Sequence, residues 1–260
     1  WGSASEESAL AADGMKMWRN KSYDYVPAAN GTNAGNFAGM NATSHVSYFN
    51  SHDEQRLPYH TQNEGLSNGS YNVRNPLITK ERMKMAAAFT FLFPGPKMLW
   101  QFDELGYDID INFNGRTGRK PYPWGTGSLM YYEDSLRQHI YKAYQGILDV
   151  RNTVNPVNLN AATTNHKLTG STRRLAFNTN DIDLVVLGNF GMADENLVPA
   201  FTQTGIWYDY FSGDSITVSD PNAALNLVPG QWHIYTTTRL SEGMPYVVET
   251  FENPVTITPY

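Results

Sequence analysis

Residues 79–102, TKERMKMAAAFTFLFPGPKMLWQF, contain the pattern on which the interpretation of the fold depends. Thr79 is a residue type favoured at helix N-caps, and the apolar residues that follow recur at helical spacing, which predicts a helix over 79–93. The Pro-Gly-Pro sequence at 94–96 ends this helix. The short apolar run over 97–102 lies between breakers and predicts a strand buried in a parallel sheet.

The same alternation of strand and helix extends to both sides of this stretch. Residues 45–50 are β-branched and aromatic, which predicts a strand, and an apolar stripe predicts a helix over 135–150. The loops over 51–78 and from 103 to about 133 leave the ends of the two strands, where parallel α/β folds carry their chemistry. The first half is therefore predicted to be α/β, with these two long loops forming the functional face.

The pattern changes after Asn155-Pro156, where no helical period remains. Short β runs separated by Gly, Asn and Pro predict an antiparallel β-sandwich. We therefore predict a domain boundary, with one domain over 1–153 and a second over 154–260. The clearest runs in the second domain are Arg174–Phe177, Leu184–Leu187, Ile206–Phe211, Ser215–Val218 and Trp232–Tyr235.

Composition excludes several classes of protein. The 260 residues carry a net charge of −6 with 17% charged and 13% aromatic side chains, which indicates a globular chain with little attraction to nucleic acid or anionic lipid. No apolar run reaches the roughly 20 residues of a membrane span. The chain has no Cys, so disulfides and Cys-ligated zinc are excluded. Abundant Tyr, Trp, Asn and Gly suit carbohydrate binding, although many β-rich proteins share this composition.

Four chemically active side chains follow the first predicted strand. His52, Asp53, Glu54 and Arg56 place an imidazole, two carboxylates and a guanidinium within one turn. In a structural interpretation, Asp53 caps the turn and His52 is its bonded neighbour. A metal-dependent phosphohydrolase also uses a His-Asp pair, but it needs further His or Asp ligands, and only His60 is near.

The second long loop contains a partial calcium-binding pattern and several aromatic residues. Asp110 to Gly115 match the first six positions of an EF-hand loop, but position twelve is Pro121 instead of Glu. Tyr107, Tyr122 and Trp124 could stack on sugar rings or simply pack within the loop. The pattern therefore indicates an incomplete calcium-ligand set beside candidate sugar-stacking residues.

Three ordered stretches together resemble a known family. They are YFNSHDE at 48–54, AAAFTFLFPGPKMLWQFDELGYD at 86–108 and GRKPYPW at 118–124. They resemble the end of the catalytic barrel in α-amylases of glycoside hydrolase family 13, particularly those of polysaccharide-utilising bacteria. The resemblance implies that residues 1–153 are the C-terminal portion of a (β/α)8 TIM barrel and that 154–260 are the antiparallel β-sandwich called domain C.

The resemblance also implies roles for the residues after the first strand. Asp53 matches the carboxylate that stabilises the transition state, His52 matches an imidazole that contacts the same sugar, and Arg56 is a further candidate substrate contact. The family's nucleophile lies in an Arg-x-Asp sequence that residues 1–52 lack, and its general acid/base Glu precedes a segment like the opening Trp1-Gly2. The chain is therefore predicted to be an amylase fragment that is inactive alone.

Further expectations follow from this resemblance. The expected ligands are α-1,4-glucans, such as starch and maltooligosaccharides, and the expected partner is the missing N-terminal barrel portion or a second copy of the chain. No cofactor is expected in the fragment, whereas calcium is compatible with the full-length parent. A secreted, periplasmic or cell-surface location is implied. The alternative function is a non-catalytic carbohydrate-binding or structural module.

Overall fold

The computed structural model describes residues 46, 48–52, 55–125, 127–168, 170–241 and 243. Helices dominate the first part of this range and antiparallel strands dominate the second. The helices are α1 (Leu57–Glu64), α2 (Pro76–Phe91), α3 (Ser135–Val154) and α4 (Pro156–Ala161), with a short hairpin of β1 (Ser67–Asn68) and β2 (Tyr71–Asn72) between α1 and α2. The later strands are β3 (Thr163–Lys167), β4 (Thr172–Asn178), β5 (Leu184–Asn189), β6 (Glu195–Leu197), β7 (Gly205–Asp209), β8 (Ser215–Val218), β9 (Leu225–Leu227) and β10 (Trp232–Thr236).

The later strands form two sheets. Six of them make an antiparallel sheet in the order β3-β4-β5-β10-β7-β8, and β6 pairs with β9 in a separate two-stranded sheet. At the centre, β5 pairs with β10 over five residues, from Leu184 opposite Thr236 to Gly188 opposite Trp232. All six residues of β5 are buried, as expected for a strand that is covered on both faces.

The two faces of the larger sheet pack against different partners. On one face, alternate residues such as Phe177, Val186 and Ile234 join the apolar stripes of α2 and α3 in one hydrophobic cluster. On the other face, Val185 and Trp207 belong to a second cluster that includes residues of β6 and β9. This alternation is the two-residue period of a strand. Because the first cluster draws on both halves of the chain, the division at 153/154 stays a prediction.

The two long helices begin at side-chain caps. The side chain of Asn75 accepts a hydrogen bond from the backbone N–H of Leu77, so α2 begins three residues before the predicted start at Thr79. Asp134 caps α3 in the same way by accepting from the backbone of Leu136. The predicted helix over 135–150 is thus found, and it continues to Val154.

An arginine on α3 fixes the end of α2 and the turn that follows it. The guanidinium of Arg151 is buried and donates to the backbone carbonyls of Phe91, Phe93 and Gly95 at 2.6, 3.0 and 2.7 Å. No further helical turn follows to donate backbone N–H groups to these carbonyls, so the guanidinium donates to them instead. Arg151 therefore fixes the position of the Pro-Gly-Pro turn, from which the next segment of the chain begins.

The predicted buried strand over 97–102 is not formed. Lys97 makes an isolated bridge, and residues 98–102 are all at least partly exposed and form no ladder. The backbone instead turns, because Asp103 N–H donates to the carbonyl of Trp100. The described residues of 45–50 also form no strand. A parallel strand is stabilised only by neighbouring strands, and the described chain provides none at these positions.

Several other elements differ from the sequence-based expectation. The segment expected to be a loop after residue 51 contains α1, whose mixed composition gives no apolar period. The second half contains the short helix α4, which begins because Asn155 accepts a hydrogen bond from Val157 N–H and Pro156 occupies the first turn. The five predicted strands all occur with shifted or identical ends, whereas β3, β6 and β9 were not predicted.

Candidate functional site

The candidate site begins where the segment before His52 meets the segment after Trp100. Asn50 is fully buried, and its side-chain amide donates to the carboxylate of Asp103 across 2.7 Å. The side-chain oxygen of Asn50 accepts the backbone N–H of Leu57 at 3.0 Å and so also fixes the start of α1. One side chain therefore joins both long loops at their bases.

Asp103 is a buried carboxyl group at this junction. Burial raises the pKa of Asp103 to about 8, although the hydrogen bond from Asn50 and the charge of Arg56 act in the opposite direction. At neutral pH the group therefore holds a proton in a large fraction of molecules. A carboxyl group with such a pKa can exchange a proton in the physiological range.

The residues that the sequence placed in the site have different exposures. His52 is exposed, and its ring centroid lies 5.9 Å from that of Trp100. Arg56 is only 6% exposed, donates to the carbonyl of Ser51 at 3.0 Å, and lies over the rings of Trp100 and Tyr107 at 5.5 and 5.9 Å. This geometry lets Arg56 hold the turn that carries His52. Asp53 and its neighbour Glu54 lie outside the described residues.

A second arginine holds the turn that contains Asp103. Arg137 of α3 is buried and donates to the carbonyls of Leu105 and Gly106 at 3.0 and 2.7 Å, and to the carboxylate of Asp108 at 2.8 Å. Asp108 also accepts a hydrogen bond from Tyr131. The planar guanidinium reaches all three acceptors at once, which fixes the loop after Trp100 against α3.

The partial calcium-binding pattern folds around protein donors. The Asp110 carboxylate accepts from Gln55 Nε2 at 2.8 Å, from the backbone N–H of Asn112 at 2.9 Å and from the Tyr59 hydroxyl at 3.1 Å. Asp110 therefore anchors the loop to α1. Within the described ranges, no group of three or more His, Asp and Glu side chains is arranged to hold a metal ion.

The remainder of that loop encloses a lysine ammonium. Lys120 Nζ donates to the backbone carbonyls of Phe113, Gly115, Arg116 and Gly118, at distances between 2.7 and 3.3 Å. Four carbonyl oxygens around one positive charge resemble the environment of a bound cation. The ammonium group of Lys120 thus occupies the position that a bound cation would take in this loop.

Four aromatic rings lie together around Trp124, and we call them the aromatic platform: the partly buried Phe102 and the exposed Tyr122, Trp124 and Tyr132. Trp124 is at its centre, with ring centroids 5.3 Å from Phe102, 5.8 Å from Tyr122 and 6.1 Å from Tyr132. Tyr122, Trp124 and Tyr132 are each between 43% and 47% exposed. Large aromatic faces exposed side by side are typical of a binding surface.

The third predicted stacking residue has a different role. Tyr107 is buried, and its hydroxyl donates to the carbonyl of Pro121 at 2.6 Å. Its ring contacts that of Phe102. Tyr107 therefore supports the platform from its buried side, while Tyr122 and Trp124 are partly exposed and stack on each other, with the guanidinium of Arg119 over the Tyr122 ring.

The sequence interpretation did not select Asn50, Asp103, Arg137 or Lys120 as site residues. Asp103 could have been noted because it is a carboxylate directly after an apolar run, the position that was used to select Asp53. No sequence signal identifies Lys120, because its four partners are backbone carbonyls and any residue types could supply them.

No family model matches the chain, and no curated protein matches it. The fold is similar to that of several solved structures. AmyP in complex with maltose has a TM-score of 0.59 and 11% identity, and the match covers 89% of this chain and 49% of that chain.

Two α-amylases give similar results. The α-amylase GTA of Geobacillus thermoleovorans, complexed with acarbose, has a TM-score of 0.53 and 13% identity over 87% of this chain and 44% of that chain. The noncanonic maltogenic α-amylase AmyB of Thermotoga neapolitana has a TM-score of 0.53 and 11% identity over 84% of this chain and 49% of that chain. The chain thus spans less than half the length of these structures.

No helix in the described part of the chain has the combined length and apolarity to cross a membrane.

The identities to solved structures are low, so the likeness concerns the fold. At that level, the chain resembles part of the solved α-amylase structures.

Proposed function

We propose that this chain is the C-terminal fragment of an α-amylase-like retaining glycoside hydrolase that acts on α-1,4-glucans. Residues 1–153 would be the last part of the catalytic barrel and residues 154–260 would be domain C. Asp53 would stabilise the transition state, and His52 would contact the same sugar. The fragment alone is proposed to be inactive, because the sequence contains no match to the family's nucleophile motif.

The observation that carries the proposal is a continuous series of ring and cation–π contacts from His52 to the aromatic platform. His52 contacts Trp100, and the guanidinium of Arg56 lies over Trp100 and Tyr107. Phe102 then contacts both Tyr107 and Trp124. A polar group at one end and exposed rings at the other suit a chain of sugars, whose C–H faces stack on aromatic rings.

Arg56 is proposed to be a positioning residue. Its buried guanidinium donates to the carbonyl of Ser51, next to His52, and so it holds the backbone that leads to the proposed transition-state carboxylate in sequence. A buried arginine that holds a backbone carbonyl acts on the geometry of the turn. This role modifies the expectation of a direct substrate contact.

The partner of the fragment is proposed to be the missing N-terminal barrel portion. Leu99 is 40% exposed in the segment predicted to be a buried strand, and Met98 and Trp100 are partly exposed. Neighbouring strands would cover these side chains and complete the backbone pairing. A glucan polymer cannot enter a cell readily, so a secreted, periplasmic or surface location is part of the proposal.

The alternative is a carbohydrate-binding module without catalysis. The aromatic platform favours it, because stacking needs neither a nucleophile nor a general acid. Isothermal titration of the chain with maltoheptaose measures binding, and a reducing-sugar assay on starch measures turnover. Together the two assays distinguish an inactive fragment or a binding module from an active enzyme. Binding without turnover supports both proposals, whereas turnover by this chain would contradict the proposed inactivity.

The platform is tested by Trp124→Ala. We expect this change to weaken maltoheptaose binding at least tenfold, since it removes the central ring of the platform. Phe113→Ala is the matched control, because Phe113 is 48% exposed on the neighbouring loop and makes no ring contact within the described chain. Equal loss of affinity in both variants would contradict a specific platform.

The catalytic part of the proposal is tested in the longer protein that includes the preceding barrel strands. Asp53→Asn should abolish starch hydrolysis while maltoheptaose still binds, since the carboxylate acts mainly in the transition state. Unchanged hydrolysis would remove Asp53 from the mechanism and leave the binding module as the better description.

A further inference from the structure

A cleft of about 240 Å³ lies beside the edge of the six-stranded sheet. It is lined by residues of β3 and β4, by the connection that precedes β7, and by the loop that precedes β9. The cleft is separate from the aromatic platform, since the two share no residue. It is close to the lower limit of roughly 300 Å³ for small-molecule sites, so it would hold a small ligand or one end of a longer one.

Strand register places the cleft on the face of the sheet away from the long helices. Thr163 pairs with Asn178 and Asn165 pairs with Ala176, so these four side chains share one face. Ala176 packs in the cluster of Trp207 on that face, and the helices α2 and α3 cover the opposite face. The sheet itself therefore separates the cleft from the helical layer.

The lining has polar walls and an apolar floor. Ala176, Ala200 and Phe201 are buried at the floor. The walls carry the amides of Asn165, Asn178 and Asn222 and the hydroxyls of Thr163 and Thr202, whereas the side chain of Thr164 lies on the opposite face of the strand. None of these lining residues carries a charge. Amides and hydroxyls together offer both hydrogen-bond donors and acceptors.

Several of these polar groups are available to a ligand. The side chains of Thr163, Asn178 and Asn222 make no hydrogen bond to other groups within the described chain, whereas Asn165 accepts from Arg174 and Thr202 donates to Asp183. A charged ligand would find no counter-charge in the lining, and a purely apolar ligand would leave the amides unpaired. The remaining class is an uncharged ligand with hydroxyl groups and apolar C–H surface.

We propose that this cleft is a second saccharide-binding site, which takes one or two units of an uncharged sugar chain. The ligand class follows from the lining, while its identity as an α-glucan rests on the proposed function. Bound sugar would place hydroxyl groups against Asn178 and Asn222 and C–H groups against Phe201. The chain would then hold a glucan at two separate places.

The test is a titration of the whole chain with maltotriose or cellotriose, followed through backbone amide resonances. In the parent and in Trp124→Ala alike, we expect maltotriose to shift the amides of residues 163–165 and 176–178. Asn178→Asp removes both amide donors and should weaken this second binding event by about three- to tenfold. Asn152→Asp is the matched control, because Asn152 is exposed on α3 and lies outside the cleft.

The outcomes separate this inference from the proposed function. Shifts confined to residues around Trp124 would overturn the cleft site and leave the proposed function intact. Shifts in the cleft with cellotriose but not with maltotriose would support a saccharide site and contradict the α-glucan assignment. Equal affinities of Asn178→Asp and Asn152→Asp, or no cleft shift with either sugar, would overturn the second site.

Discussion

The side-chain amide of Asn50 donates a 2.7 Å hydrogen bond to Asp103, although the two residues are 53 positions apart in sequence. This bond links the segment that leads to His52 with the segment that follows Trp100. Both groups are buried, so the bond is shielded from water and the two segments are held at a fixed separation. This pair is therefore one of the contacts that position the proposed sugar-binding residues on either side of it.

Asp103→Asn should make the stability of the chain less sensitive to pH. The pKa of Asp103 is about 8 in the folded state and near 3.8 when the chain is unfolded. Between these two pH values the folded chain keeps the proton on Asp103, whereas the unfolded chain has released it. The contribution of Asp103 to the free energy of unfolding therefore falls as pH rises from about 4 to 8. Urea unfolding at pH 5, 6, 7 and 8 measures the effect.

The matched control for that experiment is Asp149→Asn, which removes an exposed carboxylate from α3. We expect the difference in unfolding free energy between the parent and Asp103→Asn to change steadily with pH, and the corresponding difference for Asp149→Asn to stay constant. A constant difference for both variants would show that Asp103 ionises normally in the folded chain.

Lys120→Met should loosen the loop that encloses the ammonium group. The substitution leaves four backbone carbonyls without their shared donor, so local opening becomes easier while the distant core is unaffected. Trypsin should cleave after Arg116 and Arg119 several-fold faster than in the parent chain.

Two further measurements distinguish this local effect from general unfolding. The urea midpoint of Lys120→Met should match that of the parent to within experimental error, because the loop is largely exposed. Lys120→Ala should regain protection from trypsin in concentrated ammonium chloride but not in the same concentration of tetramethylammonium chloride, which cannot donate hydrogen bonds. Parent-like cleavage of Lys120→Met in low salt would contradict the role of the ammonium group.

Gly188→Ala should destabilise the contact between the sheet and α2. A Cβ at this position would lie 2.8 Å from Phe89 Cε2 and 2.9 Å from Met85 Sδ, closer than side chains tolerate. Overpacking of this kind costs about 1–3 kcal/mol of unfolding free energy, which urea denaturation measures. In the double variant with Met85→Ala, the cost should be smaller than the sum of the two single costs. Additive costs would mean that Met85 does not obstruct the added methyl group.

Arg137→Met should reduce stability by roughly 3–5 kcal/mol at neutral pH, since it leaves Asp108 without its ionic partner in a largely buried position. Burial alone would raise the pKa of Asp108, but the charge of Arg137 and the hydrogen bonds to the carboxylate lower it overall. A lowered pKa contributes stability above the unfolded value, and this contribution is lost as pH falls through the folded value. The variant should therefore lose less stability than the parent between pH 5 and pH 2.

Arg137→Lys separates charge from geometry in the same position. It keeps the positive charge near Asp108 but cannot reach the carbonyls of Leu105 and Gly106 at the same time. Its unfolding free energy should fall between those of the parent and Arg137→Met, as measured in urea at pH 7. A parent-like value would show that the fork to the two carbonyls contributes nothing.

The sequence predicted the regular elements where a local pattern determines them. The apolar stripe over 135–150 and the breakers after Phe93 identify α3 and the end of α2, because these signals lie within a few residues of the elements they define. The strand expected over 97–102 is absent, since its hydrogen-bonding partners would have to come from distant strands. The strand β3 was missed for a related reason: its residues TTNHK are polar and largely exposed at a sheet edge.

The residues of the candidate site also divide into those that the sequence identifies and those that only the fold brings together. His52 and Trp124 could be selected from residue type and from their position in long loops, and the ring contacts are consistent with that choice. Asn50 and Asp103 could not be paired from the sequence, since each is an ordinary polar residue until the fold brings the two together. The position of Asp53 relative to them stays a prediction.

The ammonium within residues 113–120 is covalently attached to the loop it orders. A free ion at such a position would leave when its concentration in the surroundings fell, and a chelator would remove it. A tethered ion has a constant local concentration, so dilution and chelation leave its occupancy unchanged. The order of this loop, and of the rings that follow it, is therefore independent of the ionic composition of the medium.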